Sequence, residues 1–506
     1  MAQSTSHLSS DMFEFVNANS IIHDEKFKTK PRGYLADAFL RFKKNKSSVV
    51  AAFIIALLVL FSIFSPIISP YTVNDKDNVY TNFPPFIPAM ANTGIFNGSK
   101  SFASLNEKTL DTYRAIAEET GINPFIGEPK PYVVQEKKGG KIVETTYYSV
   151  KINRYFAEGV EIVNISTEEF NKIQEFQNET GIQVILPFVN KISYSDPNAW
   201  YQLDEKGNAI KNPDGTFKNN YVTDASTAGD VKYTSKRVAG DDGSYVYSKG
   251  TVGSGAVLAR VCYYNYYQFL HGMEPTYYMG TDTYGRDLFD AIGTGARFSL
   301  VFAVLVSAIN LTIGAIYGAI QGYYGGITDL AMDRVSDILS GVPSIVVMTL
   351  FKLHLAQRIG VFPSVLFAFV LTGWIGMAAL TRKQFYRFKS QEYIMAARTL
   401  GASDRRLIFK HIFPNSLGTM VTSCALVIPG VISSETSLTY LGIINLSKVA
   451  GASIGELMEL GQSAMESAPH AMLFPALFIS LLLISFNLFG NGLRDAFNPS
   501  TRGVED

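Results

Sequence analysis

The chain has 506 residues with 44 basic and 44 acidic side chains, so its formal net charge is zero and gives no indication of nucleic-acid binding. Two cysteines, Cys262 and Cys424, are too few for a disulfide framework. Apolar residues make up 47% of the chain and fall into long runs separated by a polar block, a pattern typical of a membrane protein with an extramembrane domain.

The N-terminal 47 residues are polar, and we interpret residues 1–47 as a cytoplasmic tail. The first apolar run, Val49 to Ile68, holds 20 residues without a charge, which is about the length needed to cross the hydrocarbon core of a bilayer. This run predicts a first transmembrane helix within residues 48–70 that acts as an uncleaved signal-anchor. A buried helix of a soluble protein is the alternative interpretation.

Residues 71–279 form the polar block, which we interpret as an inserted α+β domain. Helix periodicity and a following glycine predict helices over Asn106–Thr120 and Thr167–Thr180. Alternating segments at 132–135 and 142–152 predict a β-hairpin, and Asn-Pro-Asp-Gly at 212–215 predicts a turn.

The end of the polar block, Ala256–His271, is predicted to be a helix that leads back to the membrane. Four tyrosines on it suit the interface between lipid and water. They are Tyr263, Tyr264, Tyr266 and Tyr267.

Five further apolar runs predict the remaining membrane spans, which gives six in total. They are Phe298–Gly322, Ile338–Phe351, Val361–Leu380, Leu417–Tyr440 and Ala468–Phe489. Pro343 interrupts the hydrogen bonding of the third span, so this span is expected to face protein rather than lipid. The predicted fold is an all-α polytopic membrane protein whose permease core, residues 280–506, carries five of the six helices.

Basic residues near the span ends predict the orientation of the chain in the membrane. Residues 26–46 hold eight Lys or Arg against one acid, and residues 382–410 hold eight against two. We therefore expect a multi-pass protein of the cytoplasmic membrane. Both termini and the 389–415 loop would be cytoplasmic, and residues 71–279 would be extracytoplasmic.

The 389–415 loop has the pattern of two short helices joined by a tight turn. Ser390 is placed to cap a helix that ends at Leu400, and Gly401 offers a backbone free of Cβ restriction. Ser403 is placed to cap a second helix, and Pro414 is expected to end it before the next span. The small side chains at 396 and 397 would let a partner approach closely. An amphipathic surface helix beside positive-inside charge explains the same spacing.

This loop resembles the signature of ABC importer permeases, in which Glu-Ala-Ala is followed by glycine after three residues and by proline thirteen further on. Four residues fall in register with that signature: Ala396, Ala397, Gly401 and Pro414. Met395 stands where the signature has glutamate, and Phe413 where it has leucine. The flanking residues look like the oligopeptide/dipeptide/nickel branch and, within it, the C-type subunit of oligopeptide permeases.

Three further stretches resemble the same subtype: residues 280–289 before the second span, residues 322–326 with Asp329 after it, and residues 491–499 near the C-terminus. The first is the outer-face motif, whose residues here are Gly280, Thr281, Asp282, Gly285, Arg286 and Asp287. A charged turn at the membrane surface would explain Arg286 equally well. The family has a short link between the first span and this motif, whereas this chain has about 200 residues there.

The resemblance implies a permease subunit of an ATP-driven importer, most simply one for oligopeptides. A second permease would complete the translocation path, two ABC ATPase subunits would grip the cytoplasmic loops, and an extracytoplasmic binding protein would deliver substrate. The residues implied in ATPase coupling are Glu392, Ala396, Ala397, Arg398, Gly401, Ala402 and Pro414. ATP and magnesium would belong to the ATPases. The chain has no phosphate-binding loop, and we expect it to hold no cofactor, metal or catalytic residue.

Two other classes of function remain open from the residues alone. A secondary transporter or channel would carry charged residues in mid-span, and the spans here are almost free of them. A membrane-anchored binding module would need one anchor only. Inside the spans, Asn310 is expected to bond to another helix and Glu435 to face protein or water. The role of the insert stays open between docking the binding protein, bracing the second permease and serving as a passive domain.

Overall fold

The computed structural model describes residues 34–497 except for 139–140, 190–195, 222–225, 229–230, 234–237, 240–244, 247–249 and 252–255. Within these residues, five helices are long and apolar enough to cross a membrane. They are Lys46–Ile68 (span 1), Leu288–Tyr324 (span 2), Val361–Lys389 (span 4), Asp404–Tyr440 (span 5) and Pro469–Phe497 (span 6). Each coincides with a predicted apolar run.

The third predicted span is a bent pair of helices rather than one continuous helix. Gly326–Ser340 and Ser344–Ile359 meet at an angle of 72°. The bend falls at Pro343, which cannot donate a backbone hydrogen bond and therefore ends the first helix. Ile338 on this pair is exposed, whereas Val347 is buried against spans 4 and 5, so the chain itself supplies part of the protein surface expected against this span.

Small residues allow the spans to pack closely. Gly314, Gly318 and Gly322 form a stripe at four-residue spacing on span 2, and this stripe faces span 4. A Cβ atom at Gly318 would lie 2.1 Å from the backbone oxygen of Ala378, so only glycine permits this approach. Span 1 contacts spans 2 and 6, and an amphipathic helix, Tyr34–Lys44, precedes it.

Short helices connect the spans. Glu392–Thr399 lies between spans 4 and 5, and Ser447–Ala450 and Ile454–Ser463 lie between spans 5 and 6. The expectation that Pro414 ends a helix before span 5 is wrong, because the helix runs through it. A π-helical stretch, Leu407–Ile412, immediately precedes Phe413, and its wider turn accommodates the missing backbone N–H of Pro414.

The described residues of the insert form three antiparallel sheets together with helices, so the insert is an α+β domain, as expected. The first sheet has the strand order Ser99–Asn106, Lys141–Asn153 and Lys130–Lys138. The second has the order Val160–Ile165, Val257–Cys262, Gly250–Thr251, Val231–Tyr233 and Ser226–Ala228, with Ile185–Leu186 also paired to Val257–Cys262. The third pairs Val238–Ala239 with Tyr245–Val246. The helices are Pro88–Met90 (3₁₀), Glu107–Thr120, Arg154–Ala157, Thr167–Thr180 and Tyr263–His271.

The local predictions for the insert are largely confirmed. Both long helices end at a left-handed glycine, Gly121 and Gly181, and each begins with a side-chain cap from the preceding Asn106 or Ser166. The predicted hairpin is present, and Gly215 N–H donates to the Asn212 carbonyl at 2.9 Å in the predicted turn.

The prediction of one helix over Ala256–His271 is wrong in its first half. Val257–Cys262 is a strand, because it fills the gap between Val160–Ile165 and Ile185–Leu186. Only Tyr263–His271 is helical. Its tyrosines are buried in the core of the insert instead of lying at the membrane surface. Three of their hydroxyl groups donate to carboxylates there, as Tyr263 does to Asp77 at 2.9 Å, and the fourth bonds to another tyrosine hydroxyl.

Candidate functional site

The 389–415 loop forms the predicted helix, turn and helix. Gly401 has a φ of +81°, and its N–H donates to the Arg398 carbonyl at 3.0 Å. Ala402 N–H donates to the Ala397 carbonyl at 3.0 Å, which completes a glycine C-cap. The predicted Ser390 cap is wrong, because its hydroxyl donates backwards to the Arg387 carbonyl at 3.4 Å.

A small apolar core fixes this loop to the membrane spans. Ile394, Leu407 and Ile412 are each at most 1% exposed. They pack with Tyr323 at the end of span 2 and Phe385 on span 4. Because these contacts bind the loop to two spans, a displacement of the loop must move the spans with it.

Tyr323 is the main polar anchor of the loop. Its hydroxyl donates to the Asp404 carboxylate, and Arg398 Nη2 donates to that hydroxyl at 3.4 Å. Lys389 Nζ donates to the Tyr323 backbone carbonyl. The sequence placed Tyr323 in a motif but gave it no role, since nothing local shows that it meets a loop 81 residues further on.

A second polar cluster holds the bent helix pair to span 4. Arg382 donates to Asp329 at 2.6 Å and to Asp333 at 2.8 Å, and the Tyr386 hydroxyl donates to Asp329 at 2.5 Å. Sequence reasoning missed both partners, because Arg382 was counted only as part of the positive-inside charge and Tyr386 was given no role. The two acids at four-residue spacing were the available signal.

The surface of the loop that faces away from its apolar core exposes both apolar and basic side chains. Leu400 is 88% exposed and Phe409 is 64% exposed. Five of the predicted coupling residues are also exposed: Glu392, Ala396, Arg398, Gly401 and Pro414. Ala397 and Ala402 are half-buried against the apolar core, so their small size serves packing within the chain. Exposed apolar side chains flanked by cations are typical of a protein-binding surface.

The outer-face motif lies at the opposite end of span 2 and is almost completely buried. Asp282 accepts hydrogen bonds from Arg286 Nε at 2.7 Å and from the Arg286 backbone N–H at 2.9 Å. Arg286 Nη1 donates to the Gly451 carbonyl at 3.2 Å. The interpretation of Arg286 as a surface turn is therefore wrong, because it ties the motif to the segment before the helix Ile454–Ser463.

The remaining motif residues join this network to the chain that leaves span 1. Thr281 Oγ1 donates to the Tyr80 carbonyl at 2.5 Å, and a Cβ atom at Gly280 would lie 2.4 Å from the Phe83 carbonyl. Asp287 caps span 2 and accepts a hydrogen bond from the Ser69 hydroxyl at 2.6 Å. Burial raises the pKa of the Asp287 carboxyl to about 6, although this hydrogen bond acts in the opposite direction.

The structure brings the six outer-face residues together and the coupling residues together, but it does not bring these two groups to one site. Span 2 separates them over 37 residues, or about 55 Å of helix.

Glu435 is fully buried and accepts a hydrogen bond from the Ser299 hydroxyl at 2.8 Å, which confirms that it faces protein. Asn310 is buried against Gly373 of span 4, but its Oδ1 has no hydrogen-bond partner among the described residues, so the expected bond to another helix is not seen.

Two segments of the chain match known families. Residues 310–503 match the family described as binding-protein-dependent transport system inner membrane component. Residues 33–85 match the N-terminal TM domain of oligopeptide transport permease C. The oligopeptide transport system permease protein OppC of Bacillus subtilis is 40% identical over 226 residues, which cover 45% of this chain and 72% of that protein. The chain belongs to the OppC-type family of ABC importer permeases.

One further relative agrees with this assignment. The dipeptide transport system permease protein DppC of Bacillus subtilis is 36% identical over 227 residues, covering 45% of this chain and 69% of the relative. A chain of the inward-facing MetNI methionine ABC transporter aligns with a TM-score of 0.34 and 14% identity, over 41% of this chain and 96% of its own. As an OppC-type permease, the protein is a multi-pass membrane protein, and the readings as a secondary transporter or an anchored module are set aside. Neither family match covers residues 86–309, which include most of the insert.

Proposed function

We propose that this OppC-type permease forms half of the translocation path of an importer for oligopeptides or dipeptides. A second, homologous permease forms the other half. The names of the relatives support the substrate class. The observation that carries the proposal is the 392–414 loop, which presents an exposed surface and is fixed by its core to two spans.

The proposed partners on the cytoplasmic side are two ABC ATPase subunits, which bind and hydrolyse ATP with magnesium. The permease itself contributes no catalytic residue in this proposal. The surface around Leu400 and Phe409 contacts an ATPase, while the Gly401 turn sets the angle between the two short helices. Basic side chains at 405, 406 and 410 add electrostatic complementarity to that contact.

Coupling follows from how the loop is held. ATP binding favours one arrangement of the ATPases, and the loop transmits this preference because Tyr323 and Phe385 move with it. Span 2 is a continuous helix packed tightly on span 4, so a displacement at its cytoplasmic end carries to the buried motif at its outer end. By linkage, substrate delivery at the outer face biases the same equilibrium.

On the outer side, we propose that an extracytoplasmic binding protein delivers peptides to the permease. The insert is held at the outer mouth by the stem between Tyr71 and Tyr277, whose rings stack with centroids 4.6 Å apart. A domain held in this way lies beside the docking surface for the delivery protein. ATP-driven uptake of a labelled peptide by the reconstituted complex tests the proposed function.

The proposed orientation predicts where introduced cysteines react. Glu205 is exposed on a turn of the insert, and Leu400 is exposed on the loop. In intact cells, Glu205→Cys should react with a membrane-impermeant maleimide, whereas Leu400→Cys should react only after permeabilisation. Cys262 is buried, and burial raises the pKa of its thiol to about 11, so it should react little. Cys424 is partly exposed and is replaced by serine in both variants. If only Leu400→Cys were labelled in intact cells, the chain would have the opposite orientation in the membrane.

A further inference from the structure

A polar cavity of about 860 Å³ lies at the outer end of the spans. Its walls come from the chain leaving span 1, the first three turns of span 2, and residues 445–456. The outer-face motif contributes Arg286 to the wall. A volume of this size is in the range of ligand sites in proteins.

Arg297 is the unusual side chain in this cavity. It is exposed on span 2 directly before the apolar run that begins at Phe298. No hydrogen bond or ion pair of Arg297 is present among the residues that the structure describes. Because Arg297 is exposed, lines the cavity and makes no hydrogen bond within the described residues, its guanidinium donors are available to a ligand there. Asp290 is the carboxylate that interacts with it electrostatically.

The other charged groups around the cavity restrict what that ligand can be. Asp290 and Arg297 lie seven residues apart on the same side of span 2, with Thr294 between them. Glu456 adds a second carboxylate, whose Oε2 lies 3.7 Å from Arg286 Nη1 and accepts no hydrogen bond among the described residues. Three cations and two carboxylates line the cavity, so a molecule with both a carboxylate and donor groups complements it.

We propose that this cavity receives the C-terminal end of an extended peptide, and that Arg297 binds the terminal carboxylate. Asp290 and Glu456 accept from N–H groups further along the peptide. The separation of Asp290 and Arg297 along the helix, about 10.5 Å, equals about three extended residues. This inference rests on the proposed peptide-import function and assigns a specificity residue to it.

A lipid headgroup fits the cavity less well. Its aliphatic lining consists of Pro66, Val73, Val449 and Ala450, which offers no groove for an acyl chain. Three cations and two carboxylates line the same space. The balance of the lining therefore favours a polar, zwitterionic ligand over a lipid.

The test compares two probes in the complete complex with its second permease, ATPases and delivery protein. The probes are Ala-Ala-Phe-Ala with a free C-terminus and the same peptide amidated. Uptake is measured with the peptide-loaded delivery protein at a limiting concentration. The ratio of the uptake rate of the free peptide to that of the amidated peptide is then compared between variants. The preference of the delivery protein is common to all variants and cancels in this comparison.

Arg297→Gln is expected to lower the free-to-amidated ratio about tenfold, since a charge-assisted hydrogen bond to the carboxylate is lost. Arg297→Lys should keep part of the preference for the free peptide, because lysine also carries a positive charge. The matched control is Arg358→Gln, an exposed arginine outside the cavity, which should leave the ratio unchanged.

An equal loss for both peptides, or no loss, would overturn the inference while leaving peptide import intact. If the second permease separated from the Arg297→Gln variant during size-exclusion chromatography, Arg297 would belong to the subunit interface instead. A dependence on anionic lipid content, with an unchanged ratio, would assign it to a headgroup. Absence of ATP-driven uptake of both peptides by the parent complex would overturn the proposed function, and this inference with it.

Discussion

Replacing Gly401 with valine is expected to reduce ATPase association and peptide uptake about tenfold, while membrane insertion stays normal. Gly401 has a φ of +81°, a conformation in which a β-branched residue is strained by about 1–2 kcal/mol. That free energy corresponds to a factor of about 5–30 in the population of the native turn. Association is measured by recovery of the ATPases with the affinity-tagged permease, and transport by peptide uptake.

Gly401→Asn is the matched control for this prediction. Asparagine tolerates the left-handed region, so this variant should keep most of the activity. Since a Cβ atom at Gly401 has open space around it within the chain, a difference between the two variants reports on the backbone. Uptake by Gly401→Val at the parental rate would contradict the role of the turn in coupling.

Gly285→Ala is expected to detach the outer-face motif from the stem of the insert. Gly285 has a φ of +71°, and a Cβ atom there would lie 1.8 Å from the Asp77 backbone oxygen. The two chains must move apart, which breaks the 3.2 Å hydrogen bond from Asp77 N–H to the Gly285 carbonyl. We expect a cost of about 2–4 kcal/mol from strain and overpacking together, seen as rapid trypsin cleavage of the insert and a lowered Tm.

Gly127→Ala separates strain from overpacking. Gly127 also lies in the insert with a positive φ of +83°, but nothing lies within 4 Å of the position of its Cβ atom. This variant should lose only about 1 kcal/mol. Equal protease resistance of Gly285→Ala and Gly127→Ala would show that the contact with Asp77 does not hold the insert in place.

Features set by local sequence were predictable. Span 1 follows from the length of an uncharged apolar run, and the helix Glu107–Thr120 follows from its cap at Asn106 and its stop at Gly121. The positive φ of Gly401 follows from a glycine placed between two helical segments. In these cases the deciding interactions lie within a few residues of each other.

Features set by distant contacts were not predictable. Val257–Cys262 is a strand because of strands about 70 and 100 residues earlier. Arg286 is buried because it pairs with Asp282 and donates to the Gly451 carbonyl, and the second contact, 165 residues away, could not be inferred from a local charge pattern. Pro414 stays within a helix because the preceding turn widens, which propensity alone opposes.

ATP-driven uptake into liposomes tests the central claim most directly. The vesicles carry the permease, its homologous partner and both ATPases, with ATP and magnesium inside and a labelled peptide with the delivery protein outside. The account predicts accumulation of peptide against its gradient only when ATP and every subunit are present. Uptake by this chain alone along an ion gradient, or a complete complex that hydrolyses ATP without importing any peptide, would contradict it.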